Sequence, residues 1–201
     1  STVNKAILTT CLSLLALPLA SAAHAAGATE IDLLGKDPGK DHVFACFTRH
    51  YDNAHLKGHP EQNVTDMRVL VDSSFGVEYD DARSYSLTMG VNFRTLKKEF
   101  MAYGGCSGTD DAQKTLNCYI DCDGGAINVR LKDADTILVD VPYGARIYDP
   151  DAPDDEDRGA SLPPKAEFGP DDKTFLLSRV SPRLCTDLAG DAAKQAILDS
   201  R

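Results

Sequence analysis

The sequence predicts a mainly β protein, a single antiparallel sandwich or small barrel of about eight or nine short strands with a short C-terminal helix, stabilised by disulfides. Three observations predict this class. Apolar and polar residues alternate with a period of two in many short runs. Turn-forming residues separate the runs at close spacing, and no crossover helices stand between them, as a parallel sheet would require.

The strands follow from this alternation. Its clearest instance is 85–93, where Tyr85, Leu87, Met89, Val91 and Phe93 alternate with smaller or polar residues. The turn residues of 123–125, 132–135 and 142–144 divide the stretch from Leu116 to Tyr148 into an antiparallel meander of three or four strands. The other strand candidates, in chain order, are 43–48, 67–72, 99–103, 116–122, 127–132, 137–141, 145–148 and 174–180.

Helix is sparse. The segment 190–201 has the pattern of a terminal helix, with Asp191 near its start, and 52–58 predicts a short helical turn. Residues 149–172 form the one long irregular segment, because five prolines block regular structure and acids cluster from Asp149 to Asp157. We expect this segment to be an acidic, proline-rich surface loop and not a domain boundary.

The N-terminal residues 1–25 predict a secretory signal peptide. Lys5 precedes an apolar run that ends in Ala23-His24-Ala25, the small-residue pattern of signal peptidase. The run is shorter than the roughly 20 apolar residues of a membrane-spanning helix. We therefore expect an exported protein, periplasmic or secreted, with one β-rich domain over 26–201 and no membrane insertion after processing.

The charge of the processed chain is strongly acidic. Removing 25 of the 201 residues leaves 176, with 20 basic and 31 acidic residues and a net charge of about −11. Because no basic patch could neutralise a phosphate backbone, the composition argues against nucleic acid as a partner, and equally against an anionic membrane surface.

Five cysteines follow the predicted signal: Cys46, Cys106, Cys118, Cys122 and Cys185. They allow at most two bridges in 15 connectivities. In a strand over 116–122, Cys118 and Cys122 lie roughly 13 Å apart at about 3.3 Å per residue, beyond the roughly 7 Å limit for a bridge. Nearby glycines place Cys106 in a turn, which favours pairing of Cys106 with Cys118 or Cys122.

Histidines cluster in one window, which is the strongest indication of a site. If 52–59 is helical, Asp52, His55 and His59 project to one side. With His50, and with or without the more distant His42, they could ligate Zn²⁺ or Cu²⁺. Gly58 disfavours the helix just before His59, and Pro60 favours an extended conformation for His59 itself. The alternative is a polar surface turn whose histidines cap and hydrogen-bond locally.

Three other patterns in the sequence give weaker indications of a functional site. The acids from Asp149 to Asp157 depart from the spacing of a calcium-binding loop, and three residues separate Cys118 from Cys122, unlike a redox motif. Ser107 follows no hydrolase signature. The sequence thus predicts no catalytic residue and no cofactor other than the Zn²⁺ or Cu²⁺ of the histidine hypothesis.

The absence of these signatures favours an exported, non-enzymatic binding or interaction domain for an unknown protein or small-molecule ligand. A metal-binding protein using the segment from His50 to His59 is the alternative. A hydrolase built from Ser107 and a histidine is a remote third.

Overall fold

A computed structural model of the chain describes residues 26–76, 82–121, 123–153 and 162–200. Eight antiparallel strands form one closed barrel, in which each strand pairs with its neighbours in chain order and the last closes on the first. The prediction of a mainly β protein with a C-terminal helix and disulfides is therefore confirmed, and the barrel is the form it takes. The strands are β1 (Val43–His50), β2 (Val64–Phe75), β3 (Arg83–Phe93), β4 (Phe100–Asp110), β5 (Thr115–Tyr119), β6 (Ala126–Leu131), β7 (Thr136–Asp140) and β8 (Thr174–Val180).

Within the described residues, four short helices accompany the barrel. They are α1 (Ala28–Leu34), α2 (Asn53–Gly58), a 3₁₀ helix (Pro182–Leu188) and α3 (Ala192–Asp199). The sequence predicted α2 and α3 but neither of the others. Among the described residues, no helix combines the length and the apolar character needed to cross a membrane.

The barrel interior is the main core. Alternation along each strand sends every second side chain inward, as in the run from Tyr85 to Phe93. The inward side chains are large, and Phe47, Met89, Phe100 and Leu177 are fully buried. Side chains therefore fill the space that the strands enclose, and we sought binding sites at the ends and on the outer wall.

The two ends of the barrel are built differently. At the end where β1 begins, α1 adds Leu33 and Leu34 to the core. The Arg179 guanidinium donates hydrogen bonds to the carbonyl oxygens of Asp32 and Leu33 there, at 2.9 and 3.0 Å. At the opposite end lie α2, the β5–β6 turn and the long 141–173 connection between β7 and β8.

A second apolar cluster lies on the outside of the barrel. Phe44, Cys46 and Leu70 point outward from β1 and β2 and are covered by the 3₁₀ helix and α3, which contribute Leu188 and Leu198. The Cys46–Cys185 disulfide joins the two layers and links positions 139 residues apart.

The second disulfide joins two neighbouring strands. Cys106 of β4 and Cys118 of β5 occupy paired positions and form a bridge across a sequence separation of 12. The prediction that Cys106 pairs with Cys118 or Cys122 is thus confirmed in the first form. Cys122 lies outside the described residues, as do the predicted signal peptide and residues 154–161 of the acidic loop.

Three of the predicted strands differ from the structure. The candidate at 99–103 continues to Asp110 in β4, so Cys106 lies in a strand and not in the predicted turn. The candidate at 145–148 is no strand, because this part of the long connection forms only single bridges, from Ala145 to Gly125 and from Tyr148 to Met101. The candidate at 116–122 ends at Tyr119, because the chain turns there and the Gly124 N–H donates to the Asp121 carbonyl at 3.2 Å.

Candidate functional site

The histidine segment is held by its backbone. Asp52 caps α2, since its carboxylate accepts from the His55 N–H at 2.8 Å, and this bond is the main cause of the lowered pKa of Asp52. At the other end, the Arg94 guanidinium donates to the carbonyl oxygens of Leu56 and His59 at 2.7 and 2.6 Å. His59 follows the helix with a non-helical backbone, as Pro60 led us to expect.

The imidazoles of this segment have separate partners. The His55 ring stacks on that of His59 at a centroid distance of 4.3 Å and packs at a tilt against that of Tyr51 at 4.6 Å. Its Nε2 lies 3.0 Å from the Gln62 side-chain oxygen. His50 instead contacts Asp66 of β2, with Nδ1 and Oδ1 2.6 Å apart.

The structure thus brings His55 and His59 together but leaves His50 and the Asp52 carboxylate with other partners. In the part of the chain that the structure describes, no group of three or more His, Cys, Asp or Glu side chains is placed to hold a metal ion. The metal hypothesis stays a prediction of the sequence.

The remaining predicted site residues lie apart from this segment. His42 contacts Asp72 of β2 at 2.6 Å on the outer wall. Ser107 is exposed on β4, and none of the contacts among the described residues joins it to a histidine. Asp149 and Asp151 of the acidic loop both pair with Lys98, which raises the pKa of this lysine.

A first cleft, the wall cleft, lies between the outer face of β2–β4 and the C-terminal segment, with a volume of about 430 Å³. Its charged groups are paired internally. Asp72 contacts His42 and forms an ion pair with Lys194, Asp187 pairs with Arg68, and Asp191 caps α3 by accepting from the Lys194 N–H. Burial alone would raise the pKa of Asp72, but the contacts with His42 and Lys194 hold it below the ordinary value.

A second cleft, the end cleft, lies at the α2 end of the barrel and has a volume of about 500 Å³. One wall is formed by the β5–β6 turn and the start of the long connection, and the other by the end of that connection. Its lining residues are Asp123, Gly124, Gly125, Tyr143, Gly144, Ala145, Arg146, Ile147, Leu162, Ala166, Glu167, Phe168 and Lys173.

The first wall is a tight turn that presents one aromatic ring. Pro142 and Gly144 stand at the second and fourth positions of a β-turn closed by the Gly144 N–H, which donates to the Val141 carbonyl at 3.0 Å. Tyr143 occupies the tip, where it is 94% exposed. Because proline fixes one backbone angle of the turn, the position of the Tyr143 backbone is defined.

Backbone contacts lock this turn against the β5–β6 turn. The Arg146 N–H donates to the Gly124 carbonyl at 2.7 Å, and the Ile120 N–H donates to the Gly125 carbonyl at 3.0 Å. Gly125 has a φ of +93°, and a Cβ there would lie 2.9 Å from the Gly144 carbonyl oxygen. Only glycine fits this contact without strain.

The second wall is anchored by a buried carboxylate. Asp172 has no exposed surface, and its Oδ2 accepts from the backbone N–H groups of Asn63, Val64 and Gly169 at 2.8, 3.2 and 2.7 Å. Burial raises the pKa of Asp172, and these three N–H groups oppose that rise.

Two further contacts complete the second wall. The Asn63 side-chain amide donates to the carbonyl oxygens of Lys165 and Glu167 at 2.9 and 2.7 Å. Phe168 packs edge-on against Phe93 of the core, with ring centroids 5.9 Å apart. The wall is therefore tied both to the start of β2 and to the barrel interior.

The charged side chains that line the end cleft have no hydrogen-bond or ion-pair partner among the described residues, and we call them uncommitted. Asp123, Arg146, Glu167 and Lys173 make no side-chain hydrogen bond or ion pair with any other residue that the structure describes. The end cleft therefore offers two acceptor groups and two donor groups on rigid walls, in contrast to the paired charges of the wall cleft. None of these four residues was predicted from the sequence as a site residue, although the turns at 123–125 and 142–144 that carry or flank them were.

No protein-family model, no curated protein and no solved structure matches this chain. Function must therefore be inferred from the chemistry of the clefts themselves.

Proposed function

We propose that the protein is an exported, non-enzymatic binding domain, and that the end cleft is its ligand site. The observation that carries this proposal is the set of four uncommitted charged side chains beside the exposed ring of Tyr143. Charged side chains without internal partners are free to make hydrogen bonds to a ligand at no cost in broken contacts.

The rigidity of both walls supports the same proposal. A site that is already formed in the free protein loses little conformational entropy when its ligand binds. The interlocked glycine turns and the Asp172 anchor provide this rigidity, because each holds a wall through backbone groups and leaves the side chains of the cleft free.

The wall cleft is the weaker candidate. Its carboxylates already have partners, since Asp72 is held by His42 and Lys194, and Asp187 by Arg68. A ligand there would have to replace these contacts, and removing the partners of the buried Asp72 carboxylate is costly.

Export is the third part of the proposal. Two disulfides, Cys46–Cys185 and Cys106–Cys118, are typical of proteins that fold in an oxidising compartment. Together with the signal peptide predicted over 1–25, they support a periplasmic or secreted location.

The proposal is tested by screening mixtures of small polar compounds against the ¹⁵N-labelled protein and following its amide resonances. We expect compounds that bind to shift the amides of Gly124, Gly144 and Lys173. An Arg146→Ala variant should weaken binding, while Lys132→Ala, which removes an exposed cation at the opposite end of the barrel, should not. Shifts confined to Ser86 and Thr88 in the wall cleft would contradict the proposal.

A further inference from the structure

We infer that the end cleft binds a neutral, polyhydroxylated ring, the chemistry of a pyranose sugar. This inference rests on the proposed function and names its ligand class. It follows from the balance of charge in the cleft and from its exposed aromatic ring.

The uncommitted charges of the cleft cancel. Asp123 and Glu167 are hydrogen-bond acceptors, and Arg146 and Lys173 are donors. A ligand with a net charge would be attracted by one pair and repelled by the other. A hydroxyl group both donates and accepts, so a ring with several hydroxyls can satisfy carboxylates and cations together through charge-assisted hydrogen bonds.

The apolar surfaces of the cleft fit the other half of such a ligand. Tyr143 is 94% exposed at the tip of its turn, while Leu162 and Phe168 line the opposite wall. A pyranose presents C–H groups on its ring faces, and these can pack flat on an aromatic ring while the hydroxyls point outward to polar partners. The sequence has no tryptophan, so a tyrosine must serve as the platform.

A zwitterion, such as an amino acid or a short peptide, is the main competing class, because it too carries both signs of charge. A zwitterion presents one group of each sign and would leave the second carboxylate and the second cation without a partner. The cleft therefore favours the sugar.

The experiment is a set of parallel titrations of the ¹⁵N-labelled full chain. The probes are three neutral disaccharides (cellobiose, maltose and N,N′-diacetylchitobiose), the zwitterion glycylglycine, the anion citrate and the cation spermidine. Each probe is added to the parent, to Tyr143→Ala and to the matched control Tyr119→Ala. Tyr119 is also an exposed tyrosine, 58% accessible, but it lies on β5 and does not line the end cleft.

We expect at least one disaccharide to shift the amides of Gly124, Gly144 and Lys173, with roughly tenfold weaker binding in Tyr143→Ala and unchanged binding in Tyr119→Ala. If only glycylglycine or a charged probe shifts these amides, the sugar inference is overturned while the proposed function stands. Equal affinity of the parent and Tyr143→Ala for the disaccharide would also overturn the inference. If no probe of any class shifts an amide of the end cleft, both the inference and the proposed function fail.

Discussion

Replacing Asp172 with alanine should destabilise the protein strongly, although this residue touches no ligand site directly. The substitution removes the acceptor of three backbone N–H groups, those of Asn63, Val64 and Gly169. It leaves these donors in a region that excludes solvent, since Asp172 itself has no exposed surface. A donor left without a partner costs more than the net value of an ordinary hydrogen bond.

The magnitude follows from the surroundings of the three donors. The Val64 N–H is buried, whereas those of Asn63 and Gly169 are half-buried. With about 2 kcal/mol for the buried donor and about 1 kcal/mol for each of the others, the free energy of unfolding should fall by about 4 kcal/mol. Asp172→Asn keeps one acceptor oxygen and should fall between the parent and Asp172→Ala.

The assay is urea unfolding of the oxidised protein at neutral pH, with amide hydrogen exchange at Asn63, Val64 and Gly169 as the local measurement. Asp171→Ala is the matched control, because Asp171 is an exposed aspartate next in sequence whose carboxylate makes no hydrogen bond in the described structure. A loss of stability for Asp172→Ala within about 1 kcal/mol of that for Asp171→Ala would refute the anchoring role, since surface substitutions rarely exceed that effect.

Four other results are expected. Replacing both cysteines of Cys46–Cys185 with alanine should lower the free energy of unfolding by about 5 kcal/mol, and the same change at Cys106–Cys118 by about 3 kcal/mol. The difference arises because the bridges span sequence separations of 139 and 12 residues. Equal losses of stability in thermal unfolding would contradict this order. Because the pKa of Asp72 is lowered, the stabilisation from its carboxylate is present in full above the unfolded-state pKa of 3.8 and is lost as the pH falls through the lower pKa of the folded state. The difference in unfolding free energy between the parent and Asp72→Asn should therefore narrow in acid. A constant difference in urea titrations across that range would contradict a stabilising role of the contacts with His42 and Lys194. Gly125→Ala should cost about 2 kcal/mol because of its positive φ and its contact with Gly144, whereas Gly105→Ala, with open space around it, should be nearly neutral in chemical unfolding. A metal held by the segment from His50 to His59 would appear in native mass spectra of the parent and be lost in a variant with His55→Ala and His59→Ala; an unchanged mass after addition of Zn²⁺ or Cu²⁺ would exclude this hypothesis.

The strands could be predicted from the sequence because each carries its own pattern. The alternation from Tyr85 to Phe93 reports which side chains are buried, and it does so without reference to the rest of the chain. It does not report which strands meet. A sandwich and a barrel give the same alternation, and the distinction depends on the pairing of β1 with β8, which no local pattern encodes.

The end cleft could not be predicted for the same reason. Its walls come from 123–125, 142–147 and 162–173, and the successive pairing of β5 to β8 brings these segments to the same end of the barrel. Asp171 and Asp172 are adjacent residues of the same type, yet Asp171 is exposed and Asp172 is fully buried. The histidine segment illustrates the converse, because the local signals at Asp52, Gly58 and Pro60 did predict its short helix and the departure of His59 from it.

The closure of the barrel also depends on the order in which its strands are synthesised. β1 is complete long before β8 has been synthesised, so one edge of β1 must wait for its final partner, and unpaired edges are where chains associate wrongly. Cys46 lies in β1 opposite Val180 of β8, and Cys185 follows only five positions later, so the bridge is next to the seam where the ring of strands is completed. Once the seam has formed, the pairing of β1 with β8 holds Cys46 and Cys185 close together, which favours their oxidation. We therefore expect oxidation of this pair to follow closure of the barrel, and non-reducing gels of samples taken during refolding would show the order of the two events.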